Sequence, residues 1–172
     1  RVLDPVAFGL FAMVVAVVGV AELLRDMGLS GAAIQASHLS TAERDNLFWL
    51  STGAGLLATL LVLALAPLIA FLYGRPELNA VTAALAPSFV ISGGAAQYRA
   101  MLTRDMRFGA LGACDVLSAA IALAVGIGCG IAGLGVWSLV LQQLVGGVAA
   151  LVLYMWSSRW LPGFYDRSVP VA

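Results

Sequence analysis

Long apolar runs separated by short polar breaks dominate the chain. A helix needs about 20 apolar residues to cross ~30 Å of hydrocarbon, and five stretches meet that length. The first covers residues 6–24. It opens with Asp4-Pro5, an N-cap followed by proline at the first helical position. Arg25-Asp26 end it, with Gly28 as the break. The second covers 47–73, and the capping-box spacing of Ser40 and Glu43 predicts that its helix starts in water before entering the membrane. The third, 78–102, follows the turn Gly74-Arg75-Pro76-Glu77. The fourth, 109–131, and the fifth, 136–156, are separated only by Ala132-Gly133-Leu134-Gly135. Pro67 and Pro87 fall inside the second and third spans, where lipid-embedded helices accept them as kinks whose freed carbonyls find other partners. No polar–apolar alternation persists for ten residues, which argues against a β-barrel. The pattern predicts an all-α, polytopic transmembrane bundle of five spans, with residues 1–172 forming one unit.

Composition agrees: 62% of the 172 residues are hydrophobic and 10% are charged, against about 25% charged in soluble chains. The mean hydropathy of +0.99 excludes disorder and a nucleic-acid-binding surface. Cys114 and Cys129 lie in one apolar run, roughly 22 Å apart along a helix, so they read as packing residues and not as a disulfide. The nine basic residues, all arginine, cancel nine acidic ones, but they are not evenly placed. One side of the predicted bundle carries Arg1 and Arg75; the other carries Arg25, Arg44, Arg99, Arg104, Arg107, Arg159 and Arg167. Seven against two makes the second side cytoplasmic, with the segment starting outside and ending inside. A chain that opens on Arg1 on the outer side is expected to begin within a longer polypeptide, after an odd number of spans. Trp49, Trp156 and Trp160 suit the cytoplasmic interface, and Tyr73 and Trp137 the outer one.

Small and polar residues recur at helical spacing. Thr52, Gly55, Thr59 and Ala66 stripe the second span, and Ser88, Ser92, Ala95, Ala96, Arg99 and Thr103 the third. Asp115, Ser118, Ala119, Ala122, Gly126 and Cys129 share a face of the fourth; Ser138, Gln142, Gly146 and Ala149 share one on the fifth. Such stripes permit close helix approach. Ionisable groups at membrane depth carry more meaning, because a charge there needs a partner or a wet cavity. Glu22, Arg25 and Asp26 share a face near the end of the first span, Arg99 lies about one turn inside the third, and Asp115 about 9 Å into the fourth. Two readings stand: an ion-pair network that stitches helices together, or the lining of a hydrated cavity that meets a substrate. The single histidine, His38, leaves a metal site or catalytic triad short of parts. No phosphate-cradling glycine loop with lysine is present. The expectation is a non-enzyme with no catalytic residues, no metal and no cofactor.

Several local sequences resemble one family. They are Asp4-Pro5 with Phe8-Gly9-Leu10-Phe11-Ala12, Leu24-Arg25-Asp26-Met27-Gly28-Leu29, Leu39 through Trp49, Tyr73-Gly74-Arg75-Pro76, Arg99-Ala100-Met101-Leu102, Arg104, Arg107-Phe108, Asp115, and Gly135 through Val140. Together, over essentially the whole chain, they resemble the Wzx-like lipopolysaccharide biosynthesis and oligosaccharide flippase family. That family lies within the multidrug, oligosaccharidyl-lipid and polysaccharide exporter superfamily. The resemblance implies helices two to six of the N-terminal lobe of a 12–14-helix exporter, with the first helix and the C-terminal lobe elsewhere in the polypeptide. It implies residence in the bacterial cytoplasmic membrane and movement of an undecaprenyl-pyrophosphate-linked oligosaccharide from the inner to the outer leaflet. Polysaccharide polymerase and glycosyltransferases are candidate partners beside membrane lipid, and nucleic acid is not. On this reading Arg25 and Arg99 capture the pyrophosphate, Gln97 and Gln142 bond sugar hydroxyls, and Glu22, Asp26 and Asp115 hold the arginines or respond to a coupling ion. Arg104 and Arg107 contact anionic lipid. The alternatives are an ion-coupled drug or metabolite antiporter of the same superfamily, a scaffold subunit with no wet cavity, and, as the weakest, an intramembrane enzyme.

Overall fold

The computed structural model describes residues 41–163, together with isolated helical positions at Gly9, Ala12 and Gly19. The expected first span otherwise lies outside the described residues, and with it Glu22, Arg25 and Asp26. The rest is helical: α1 (Thr41–Leu72), α2 (Glu77–Leu85), α3 (Ser88–Arg104), α4 (Phe108–Ile131) and α5 (Val136–Ser158). Helices α2 and α3 together make one crossing, Glu77–Arg104, so the described residues provide four segments long and apolar enough to cross a membrane. The protein is a multi-pass helical membrane bundle.

The third span departs from the expectation of one helix over 78–102. It is two helices joined at Ala86-Pro87. Pro87 has no N–H to return to the carbonyl one turn earlier, so the ladder breaks there. The Phe89 amide reaches back only as far as the Ala86 carbonyl, at 3.2 Å. That carbonyl also accepts from the Thr59 hydroxyl of α1 at 2.9 Å, while the same hydroxyl lies 3.0 Å from the Gly55 carbonyl on its own helix. The Ala86 carbonyl at the break thus gains a side-chain partner on a neighbouring helix. Pro67, by contrast, lies within an α1 that runs without interruption to Leu72.

Helices α1 and α3 meet through glycine. A β-carbon on Gly93 would lie 2.6 Å from the Ser51 carbonyl oxygen, and one on Gly55 would lie 3.1 Å from the Phe89 carbonyl carbon and the Val90 α-carbon. The close approach expected for Gly55 and Thr59 is therefore present. On α3 it is made by Gly93, outside the Ser88–Thr103 stripe. Below and above it, buried side chains form two clusters. Val62, Leu78, Val81, Leu85, Phe89 and Val140 surround the α2–α3 break. Ala95, Tyr98, Leu102, Cys114 and Tyr154 fill the arginine-rich end. The outward faces are apolar, as lipid requires: Leu57, Leu61, Phe71, Ile131 and Trp156 are all exposed.

Three helix ends close alike, with the third residue past the helix bonding back across the turn: Arg75 N–H to Ala70, Arg107 N–H to Leu102 and Leu134 N–H to Cys129. Gly74 and Gly133 supply the positive φ in two of them, while Met106 adopts φ 55° in the third. Cys114 and Cys129 are both free thiols, as their spacing predicts. Trp160 does more than the interfacial anchoring expected of it. Its ring stacks edge-on with Phe48 and Tyr98 and lies 4.9 Å below the Arg44 guanidinium. Trp49 also donates to the Gly163 carbonyl at 2.9 Å. Together these contacts clasp the chain beyond α5 onto α1 and α3.

Candidate functional site

Helix α5 packs along α4 on one side and α3 on the other, whereas α3 and α4 touch little. The result is a groove with α5 as its floor. The polar stripes read from the sequence line it. Ser88 and Ser92 come from α3, Ser118, Ala119 and Ala122 from α4, and Gln142, Gln143, Gly146 and Gly147 from α5, around a cavity of about 280 Å³. Small residues make the room: a β-carbon on Gly146 would lie 2.9 Å from that of Ala122, and one on Gly126 would collide with the Gln142 amide. Gln142 thus lies across α4 at Gly126. Ser88 is buried, and its Oγ has no hydrogen-bond partner among the described residues. A buried hydroxyl left unpaired is costly, and this one borders the cavity.

Toward the arginine-rich end the groove is bridged by charge. Arg99 Nη2 lies 3.6 Å from Asp115 Oδ2, while the Tyr154 hydroxyl donates to Asp115 Oδ1. One turn along α4, the Ser118 hydroxyl donates to the Asp115 carbonyl at 3.0 Å. The carboxylate is thus held from two helices, with one oxygen engaged by tyrosine and the other facing arginine. The side chains of Arg99 and Asp115 are 58% and 39% exposed, so the pair is not a sealed, dry contact. A guanidinium carries five N–H donors, and a single long contact to a carboxylate leaves most of them for another anion.

Of the residues expected to meet substrate, the structure brings Gln142 to the polar cavity and pairs Arg99 with Asp115, which lies one turn from the lining residue Ser118 but, like Arg99, outside the cavity's own lining. Gln97 is buried, 3% exposed, and is not among the residues lining the cavity. Arg107, expected at lipid, also donates to the Ser157 carbonyl at 2.9 Å, where it meets the negative end of the α5 dipole. Among the described residues, no three His, Cys, Asp or Glu side chains gather as a metal site. Sequence reasoning missed Tyr154. It sits 39 positions from Asp115 on another helix, and in the sequence it is one aromatic in an apolar run. Ser88, Ser92 and Ser118 were legible only as packing residues.

A family model described as polysaccharide biosynthesis protein matches residues 1–169. The lipopolysaccharide biosynthesis protein WzxC of Escherichia coli (strain K12) is 27% identical over 178 residues, covering 100% of this chain and 35% of that protein. The succinoglycan biosynthesis transport protein ExoT of Rhizobium meliloti (strain 1021) is 27% identical over 167 residues, covering 95% of this chain and 33% of that protein. The teichuronic acid biosynthesis protein TuaB of Bacillus subtilis (strain 168) is 32% identical over 98 residues, covering 57% of this chain and 20% of that protein. The chain therefore spans about a third or less of the length of these relatives. No solved structure gives a significant match. With four apolar crossings among the described residues and a family model that matches nearly end to end, the chain belongs to the polysaccharide biosynthesis protein family.

Proposed function

We propose that this segment is part of a transporter that moves a lipid-linked oligosaccharide, carried on undecaprenyl pyrophosphate, across the bacterial cytoplasmic membrane. The observation that carries the reading is Arg99: accessible, braced by Asp115 and Tyr154, and placed where a groove of serine hydroxyls and glutamine amides reaches the arginine-rich end. The physical problem is a large hydrophilic head, doubly anionic at one point, whose lipid tail stays in lipid. An arginine fork gives charge-assisted, multidentate bonds to the pyrophosphate and remains ionised on burial. Neutral hydroxyls and amides can exchange hydrogen bonds with sugar without fixing any one sugar. Residues from the rest of the polypeptide would supply the facing half of a cavity that opens alternately to each side. The arginine excess supports a cytoplasmic Arg99 end; Arg25, Glu22 and Asp26, the other charged candidates, lie outside the described residues.

A scaffold without a wet cavity is disfavoured by the exposure of the Arg99–Asp115 pair and by the unpaired Ser88 hydroxyl that borders the polar cavity. The role needs no bond-making chemistry, and no residue is assigned to any. In the full-length protein, Arg99→Ala abolishes surface polysaccharide while membrane insertion and protein level stay normal, and Arg99→Lys restores only part. Wild-type polymer from Arg99→Ala would refute the role. The measurement is polymer recovered from a strain whose only copy is the variant.

A further inference from the structure

On a second face of α4, away from Asp115 and Ser118, lies a larger recess of about 740 Å³ between α4 and α5. We propose that it holds one anionic phospholipid of the leaflet at the arginine-rich end. Three features select that occupant. First, the walls are apolar and hollowed by small side chains: Ala110 and Ala113 of α4 face Trp156 of α5, with Leu117 closing the recess. Second, its length fits one leaflet. From Arg107 at the mouth to Leu117 is ten residues, or ~15 Å at the helical rise, half of the ~30 Å hydrocarbon core. Third, the mouth is cationic. Arg107 and Arg159 both line it, and no carboxylate stands among the described lining residues. Arg107 gives one N–H to the Ser157 carbonyl, which fixes its guanidinium beside the end of α5 with donors to spare. Arg159 takes a left-handed backbone immediately after α5, which turns the chain across the mouth. Acyl chains fill the recess and the phosphate rests between the two guanidinium groups; a zwitterionic headgroup would add an unpaired cation there. The site is separate from the Arg99 groove and stands whether or not that groove carries a sugar.

The test uses the purified full-length protein in nanodiscs of equimolar phosphatidylglycerol and phosphatidylethanolamine, with retained lipid read by native mass spectrometry. The expected result is selective retention of phosphatidylglycerol. Near a membrane surface each arginine is worth about fivefold in binding of anionic lipid, so Arg107→Gln with Arg159→Gln lowers the preference about 25-fold. Ala113→Leu keeps both charges but fills the recess, and it removes the retained lipid. This variant separates a real site from general surface charge, and it also serves if the double variant fails to fold. Equal retention of the two lipids by the native protein overturns the proposal. So does an Ala113→Leu variant that retains phosphatidylglycerol like the native protein, or undecaprenyl phosphate displacing phosphatidylglycerol at equal concentration.

Discussion

Gly55 and Gly53 lie two residues apart on α1 and make opposite predictions for the same substitution. A β-carbon on Gly53 meets nothing within 4 Å, whereas one on Gly55 runs into the Phe89 carbonyl and the Val90 α-carbon. Those are backbone atoms, so no rotamer change relieves the clash. To restore an ordinary contact of about 3.5 Å, α1 and α3 must part by close to an ångström. The Thr59 hydroxyl, 2.9 Å from the Ala86 carbonyl, would then be stretched beyond ~3.5 Å, outside hydrogen-bonding range. Overpacking costs about 1–3 kcal/mol, and the lost bond adds about 1 kcal/mol. Replacing glycine by alanine in a helix returns at most ~1 kcal/mol. Gly55→Ala is therefore destabilising by about 1–3 kcal/mol net, and Gly53→Ala is neutral or stabilising by up to ~1 kcal/mol. Unfolding of the purified full-length variants in mixed micelles, followed by titration with dodecyl sulfate, measures both. If Gly55→Ala proves as stable as Gly53→Ala, then α1 and α3 do not make the glycine contact, and the packing argument fails.

Four further outcomes follow from particular contacts. Thr59→Val removes the interhelix bond to the Ala86 carbonyl, which keeps only the Phe89 N–H, and costs about 1 kcal/mol in the same unfolding measurement, whereas Thr59→Ser stays near native. Gly126→Ala pushes on the Gln142 side chain, from its amide to its β-carbon, and not on backbone, so the stability cost should stay near the low end of overpacking, about 1 kcal/mol, while polysaccharide export falls as the amide leaves the cavity. Tyr154→Phe and Asp115→Ala, combined in a double-mutant cycle on unfolding, should show a coupling of about 0.6 kcal/mol and at most about 1.7 kcal/mol, the average and maximum for hydrogen bonds between membrane helices. Additive effects would deny the bond. Met106→Gly relieves a left-handed methionine at the turn after α3 and should raise stability by about 1 kcal/mol; no gain would mean that the turn tolerates the side chain without strain.

Much of the candidate site could be read in one dimension because membrane helices make burial periodic. Asp115, Ser118 and Ala122 share a face whatever surrounds them, and so do Gln142 and Gly146. The meeting of these two faces follows from a four-residue loop that forces α4 and α5 to lie antiparallel. Arg99 could be singled out because charge at membrane depth is rare. Gln97 shows the limit. In the sequence it stands beside the same stripe, yet it is buried, while Ser88 and Ser92, read from the stripe as packing residues, border the cavity. Which of two adjacent helical positions faces a groove depends on the rotation of α3, and that rotation is set by Gly93 against Ser51.

What the sequence determined alone was whatever depends on length, periodicity and solvent: helices, crossing segments, turns at Gly74 and Gly133, and an arginine-rich end. These follow from the cost of unpaired backbone in hydrocarbon and from the reach of a helical rise, neither of which needs a partner. Tertiary structure alone decided that α2 and α3 are separate helices tied at Ala86 by Thr59. It alone brought Tyr154 to Asp115 across 39 residues, and made Trp160 a clasp on α1 and α3. Each of these is a contact between helices, and its geometry depends on how far apart two backbones lie and how each helix is rotated. A few tenths of an ångström at a glycine decide that, and no pattern along one chain records it.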